Sequence, residues 1–395
     1  MVAQAKRIVG VEVETPHLRV VWSDGSASRF HSIWLQENSS IAIEPNTGQR
    51  EHEAFEYPLD LAVTSAELGA TFVHMTFSNG TTSAVELTVL ESSIAECSGF
   101  RSIEMTPQPW VAVTEIPEPF HFDDFAASSA SRLEALRRLV RFGFVFIDNV
   151  PAIDGGLAQV IDRIGPIKQT NFGRIEDVKV ALNPTDLTLT ARGIEMHTDN
   201  PYRSPTPGYT VLHCLQNDVQ GGESSLVDGL MAVSRLHSES PELLSAISKT
   251  SPRFRYEDSD TILEFSGPLV EWDANGALRQ VRFSNRTEYV PALPVEELHQ
   301  YYAGRQRFAA MLRSADLMKQ FRFVPGLLLI MDNYRCLHGR MPYEANSGTR
   351  HLQLCFLDRD VVASRLRVLS RDHALLPHLQ GPATTRAGGR VDGTS

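Results

Sequence analysis

The chain has 395 residues, of which 42% are hydrophobic and 22% charged, ordinary values for a folded protein with room for one large domain and a smaller one. Its 37 basic against 48 acidic side chains give a formal net charge of −11, which excludes binding to nucleic acid by broad phosphate neutralisation but leaves room for a local basic pocket for a small anion. No run approaches the roughly 20 apolar residues that span a bilayer, no secretory h-region follows the first residues, and Cys97, Cys214, Cys336 and Cys355 stand far apart, so a cytoplasmic protein with small buried thiols and no membrane partner is expected.

Residues 1–105 read as a small β-rich domain. LRVVWSDGSASRFHSIWL alternates apolar and polar positions around Asp24-Gly25, and TFVHMTFSNGTTSAVELTV does so around Asn79-Gly80, which predicts two hairpins. The Pro-punctuated MTPQPWVAVTEIPEPFHF follows as a linker. A second domain over 106–380 opens with SASRLEALRRLVRFG, where Leu133, Leu136, Leu139 and Val140 recur at helical spacing up to Gly143. FVFIDNVP reads as a buried strand and GLAQVIDRIG as a short helix. Beyond about residue 195 the apolar runs YTVLHCL, SLVDGL, GLLLIMDN and RHLQLCFL predict strands, with helices at LMAVSRLHSESPELLSAI and VEELHQYYAGRQRFAAMLRS. The mixture implies a β-barrel or sandwich braced by helices. Residues 381–395, rich in Gly and Thr, read as a disordered tail.

His197 and Asp199 in GIEMHTDNPY stand two residues apart. On a strand they would share a face and could converge on one ion. His338 comes just after the apolar GLLLIMDN run, and Arg350 follows twelve residues later in a strand-like stretch. Two His and one carboxylate form the facial triad of non-haem Fe(II) oxygenases, and a guanidinium on a nearby strand suits the distal carboxylate of 2-oxoglutarate. A zinc hydrolase, or a metal-binding protein without turnover, fits the H-x-D alone; the ordered set of H-x-D, His and Arg points to the oxygenase. His213 and His351 read as packing residues or as supports behind the metal ligands.

HTDNPYRSPTPGYTVLHCLQNDVQGGESSLVDG, DNYRCLHGRMPYE and SRLRVL together resemble the γ-butyrobetaine hydroxylase family, within the taurine-dioxygenase-like 2-oxoglutarate oxygenases. The resemblance implies a mainly β fold with helices, a double-stranded β-helix (jelly-roll) catalytic domain, and an N-terminal domain that contributes to a homodimer. It implies hydroxylation of a small trimethylammonium compound with an anionic end, using Fe(II), 2-oxoglutarate and O₂, with ascorbate as activator and succinate and CO₂ as co-products. His197, Asp199 and His338 match the iron ligands, Arg350 the 2-oxoglutarate arginine, and Leu212 the co-substrate pocket. Asn200, Tyr202 and Asn285 match the region near the substrate's anionic end, where Arg286 offers a further donor to either anion. The family's structural zinc is not expected, because Ser39 and Ser40 stand where it has cysteines and FSNGTTS lacks its histidine. The cation pocket also departs: Phe172, Glu176, Leu189 and Phe356 stand where the family has mostly Tyr and Trp, and Asp186 where it has Asn. Acidic partners for the cation favour the branch that hydroxylates 2-(trimethylammonio)ethylphosphonate at C1, with γ-butyrobetaine as the alternative substrate.

Overall fold

The computed structural model describes residues 6–53, 55–96, 106–115, 117–179, 190–344 and 346–373. They fall into two compact units, one ending at residue 96 and the other starting at residue 106. The expected tail at 381–395 lies outside the described residues.

The first unit holds two three-stranded antiparallel sheets, β1 (Ile8–Glu14), β2 (His17–Trp22) and β3 (Ala27–Phe30), and β4 (Val63–Leu68), β5 (Phe72–Phe77) and β6 (Thr82–Glu86). Both predicted turns are present, with Gly25 and Gly80 at φ +81, a left-handed backbone that glycine adopts without a Cβ clash. Alternation puts Leu18, Val20 and Trp22 in one core with Val73, Met75 and Phe77. The ends of the two hairpin stretches are helical, in contrast to the expectation. SIWL lies in α1 (Ser32–Glu37), whose first turn is capped by His31 Nδ1 accepting from Ile33 N at 3.2 Å, and LTV opens α2 (Leu87–Glu96). A few residues of period two cannot separate a strand end from the first turn of a helix.

In the second unit, β7 (Phe120–His121), α3 (Phe122–Ala127), α4 (Ser129–Phe142), β8 (Phe144–Asp148), α5 (Gly156–Ile161), β9 (Glu176–Val178), β10 (Ile194–His197), β11 (Tyr209–Asn217) and β12 (Ser224–Asp228) follow in order. The predicted helix over 230–247 is two helices, α6 (Gly229–Glu239) and α7 (Pro241–Lys249), because Pro241 cannot continue one and starts the other. Next come the short strands β13 (Arg253–Glu257), β14 (Ile262–Ser266), β15 (Val270–Trp272), β16 (Leu278–Val281) and β17 (Glu288–Tyr289), which the apolar runs do not mark. Then come α8 (Val295–Leu312), β18 (Lys319–Phe321), β19 (Leu328–Asp332), β20 (Cys336–Arg340), β21 (Arg350–Leu357) and α9 (Arg359–Asp372).

Two sheets make the jelly roll, one ordered β7-β8-β19-β11-β21-β9 and the other β10-β20-β12-β18. Between them Leu226 and Cys336 meet Phe144, Cys214, Leu329, Met331 and Leu352 in a shared core. The outer face of the larger sheet is covered by α4, α5 and α9 through Leu136, Leu157 and Leu366, and the smaller sheet packs Val227 and Leu337 with Val233, Leu236 and Phe308 of α6 and α8. The fold is therefore mainly β, with helices on the outside.

One buried ion pair ties the smaller sheet to the start of this unit. Arg335 donates from Nε to Asp228 Oδ1 at 2.9 Å and from Nη2 to Oδ2 at 2.7 Å. Asp228 also accepts from Leu230 N, capping α6, and from Trp110 N, while Arg335 donates to the carbonyls of Gln108 and Arg141. Every polar atom in this knot has a partner, so removing one charge leaves the other stranded. Asp228→Ala is expected to lower stability by about 3–5 kcal/mol; an unchanged urea midpoint at constant slope would show that Arg335 finds other compensation.

Candidate metal centre and its two cavities

β10 and β20 run antiparallel with His197 directly opposite His338, which brings the imidazole centroids to 4.3 Å. His338 follows the apolar strand β19 as expected, in the middle of β20, which the turn at 333–335 separates from it. β10 ends at His197, so Asp199 does not share a strand with it as expected. The carboxylate instead comes from the turn that follows, and it bridges the two rings: Oδ1 is 3.3 Å from His197 Nε2 and Oδ2 is 3.6 Å from His338 Nε2.

Asn333 fixes that turn. Its Oδ1 accepts from Asp199 N at 2.7 Å, and its Nδ2 donates to Asp199 O and Pro207 O at 3.0 Å each, with the side chain fully buried. The Thr210 hydroxyl donates to Asp199 Oδ2 at 2.9 Å. Burial would raise the Asp199 pKa, but the adjoining His338 and His197 and the Thr210 hydrogen bond hold it well below the usual carboxylate range. Burial is also the main influence on His338 and pushes its pKa down to about 3, leaving a neutral ring with a lone pair to donate.

These residues fit a divalent metal. One ligand atom from each of His197, Asp199 and His338 lies within 4.8 Å of the others, the arrangement of its kind found among the described residues. His197 Nδ1 faces Glu195 O at 2.8 Å, and since a carbonyl only accepts, the ring proton is on Nδ1 and the Nε2 lone pair points inward. That Nε2 is buried without a hydrogen-bond partner, a costly state that a coordinated cation relieves. Two nitrogens and one carboxylate with open positions suit Fe(II).

Two cavities meet at this centre, and Asp199 and Leu354 line both. The first also contains His197, His338, Leu212, Ser224, Arg340 and Arg350. Arg350 is buried and its Nε lacks a hydrogen-bond partner. Burial and the neighbouring Arg340 draw its pKa down to about 10, so it remains cationic at neutral pH. Two buried guanidiniums in one cavity with the metal ligands make a receptor for an anion that also reaches the metal.

The second cavity gathers Phe172, Glu176, Asn200, Tyr202, Arg286 and Phe356, each singled out from the sequence. Asn200 adopts a left-handed backbone at φ 49, its Oδ1 accepts from the Tyr202 hydroxyl at 2.6 Å, and its Nδ2 is buried without a partner. Tyr202 stacks on Tyr256, which meets Phe172 edge to face. Asn285 is a correction: its side chain is exposed, donating to Glu195 Oε2 at 2.8 Å and accepting from Arg305 Nη2 at 2.9 Å. Charged partners outside the cavity hold this carboxamide more strongly than an empty pocket can. Asp186 and Leu189 lie outside the described residues. His213 is buried and His351 bonds Asp177 at 2.8 Å, outside the metal set. Asn333, Thr210, Ser224 and Arg340 join the site beyond the residues picked out from the sequence. Arg340 had a signal, since it stands two residues after His338 on the same strand and so on the same face.

Comparison with known proteins gives a consistent set of matches. Residues 104–356 match the model of the taurine catabolism dioxygenase TauD, TfdA family, and residues 10–86 match the γ-butyrobetaine hydroxylase-like N-terminal model. The chain is 29% identical over 360 residues to a γ-butyrobetaine dioxygenase of Pseudomonas sp. (strain AK-1), covering 89% of this chain and 93% of that one. It is 25% identical over 364 residues to the human γ-butyrobetaine dioxygenase, covering 89% and 94%. With the human mitochondrial trimethyllysine dioxygenase it shares 25% over 354 residues, covering 86% and 83%.

Asn333→Ala removes both hydrogen bonds to the Asp199 backbone and a third to Pro207 O. Outer-shell partners of metal ligands typically govern affinity by 10–100-fold, and a loss of that order is expected in anaerobic Fe(II) titration of the variant. Wild-type Fe(II) affinity would mean that Thr210 and the strand pairing suffice to place Asp199.

Proposed function

Because this chain belongs to the taurine catabolism dioxygenase TauD, TfdA family, we propose that it is an iron- and 2-oxoglutarate-dependent hydroxylase of a small trimethylammonium compound with an anionic end, γ-butyrobetaine foremost. The observation that carries this reading is the second cavity, which opens onto the metal ligand Asp199 and offers groups for both charges of such a compound. Phe172 and Phe356 supply aromatic surface and Glu176 a carboxylate for the quaternary cation. Arg286 and the Asn200 carboxamide supply donors for the anion. The relatives named for γ-butyrobetaine and trimethyllysine support a trimethylammonium substrate, and they favour γ-butyrobetaine over the phosphonate that the sequence reading put first.

When bound, iron together with 2-oxoglutarate and O₂ supplies the oxidising power that converts a C–H bond to C–OH, with succinate and CO₂ as co-products. The protein's own task is placement. Arg350 and Arg340 hold the carboxylate of the co-substrate remote from the metal, so that its other end reaches the His197, Asp199 and His338 side. Aromatic faces and Arg286 orient the second molecule so that one carbon faces Asp199 and the rest stay away. No side chain here needs to move a proton, because in this reading His197, Asp199 and His338 serve as metal ligands.

The test is a side-by-side assay of succinate and hydroxylated product with γ-butyrobetaine and with 2-(trimethylammonio)ethylphosphonate, in Fe(II), 2-oxoglutarate and ascorbate. Greater kcat/KM for γ-butyrobetaine is expected; succinate formation that neither compound stimulates would sink the proposal.

Two arginine variants should separate the cavities. Arg350→Met is expected to raise the KM for 2-oxoglutarate by about thirtyfold or more, the effect of roughly 2 kcal/mol or more for removing one partner of a buried charge pair. Arg286→Met should raise the KM for the trimethylammonium substrate instead. If both variants move the same constant, the division of labour between the two cavities is wrong.

A further inference from the structure

We infer that Leu354 is the partition between the two chambers: it sets where the co-substrate ends and the substrate begins, and so fixes which length of 2-oxo acid the enzyme accepts. The inference rests on the proposed function for the identity of the two ligands, and on strand geometry for the partition.

On β21 the residues Arg350, Leu352, Leu354 and Phe356 alternate with a second set, Cys355 and Leu357, that packs into the outer core under the helices. The first set faces the site and divides in chain order. Arg350 and Leu352 line only the first cavity, Phe356 lines only the second, and Leu354 lines both. The row across the sheet repeats the division. Leu354 is paired on one side with Leu212 of β11, a residue of the first cavity, and on the other with Glu176 of β9, a residue of the second. Along the strand and across it, Leu354 is the boundary.

A boundary at this place has chemical work to do. Guanidiniums stand in both chambers, Arg350 and Arg340 in one and Arg286 in the other. Either ligand carries a carboxylate that either chamber could attract. An isobutyl group between them offers no hydrogen bond and makes it costly to draw a charged end across. From Arg350 to Leu354 the strand rises about 13 Å, at ~3.3 Å per residue, so the anchored co-substrate must fit between a fixed cation and a fixed wall.

The test uses Leu354→Ala, with Leu354→Met as a volume-conserving control and Leu354→Val as a milder truncation should the alanine variant fail to fold. In anaerobic calorimetry on the Fe(II) protein, wild type is expected to prefer 2-oxoglutarate to 2-oxoadipate, one methylene longer. Leu354→Ala should narrow that preference by about tenfold, the scale on which a pocket reads a single methylene, with Leu354→Val in the same direction and Leu354→Met near wild type. In turnover with γ-butyrobetaine, the alanine variant should form at least two succinates per hydroxylated product where wild type forms about one. A folded alanine variant that keeps both the wild-type co-substrate preference and the wild-type coupling overturns the inference. Wild type that forms no succinate with either trimethylammonium compound counts against the proposed function instead, and the calorimetric comparison still decides the role of Leu354.

Discussion

The pairing of β10 with β20 is the constraint on which the site depends. Side chains on a strand alternate between faces, so only one parity of register lets His197 and His338 meet. A slip by one residue would turn one imidazole away and bring Leu337 or Gly339 in its place. The register is held from both sides of β20, by β10 and by β12, whose Leu226 pairs with His338. Gly339 completes the fit, because a Cβ there would lie 2.8 Å from Ile194 O and force the strands apart. Asp199, the third member of the candidate metal set, is not on a strand, and that freedom is why Asn333 is needed. A carboxylate on a turn has to be held by its backbone, and a buried carboxamide does so through both the N–H and the C=O of Asp199.

The same region shows how this fold handles buried charge. Arg335 and Asp228 are satisfied by each other and by four backbone groups around them, in a knot that serves stability. Arg350 of β21 lines a cavity and is left with a buried Nε that has no hydrogen-bond partner. A paired guanidinium and an unsatisfied one have different uses. The first locks the turn before β20 onto the start of α6. The second is destabilising without a ligand, and a carboxylate that enters its cavity removes the cost.

β21 links the two halves of the site. One face of one strand presents a cation, two leucines and a phenylalanine in order, so both cavities take lining residues from the same backbone. Its opposite face is anchored in the outer core by Cys355 and Leu357, with α9 packed beyond. Placement of this kind on a strand paired on both sides keeps the spacing between the chambers insensitive to loop movement.

The sequence by itself determined the local features, because they depend on short-range rules. Asp24-Gly25 and Asn79-Gly80 demand turns, Leu133, Leu136 and Leu139 demand one face of a helix, and the order of H-x-D, His and Arg marks the donors that one ion and one dicarboxylate need. It also carried Phe172, Glu176, Asn200, Tyr202, Arg286 and Phe356 to the second cavity through the family resemblance. Only the tertiary structure decided that Asp199 leaves the strand, that Asn333 holds it from 134 residues away, and that Asn285 turns out to Glu195 and Arg305 instead of inward. It alone placed Leu354 on the line between two chambers, since that depends on which strands flank β21 and in what register. A hydrogen bond or a wall between residues far apart in the chain exists only once packing has brought them together, and no spacing along the sequence encodes it.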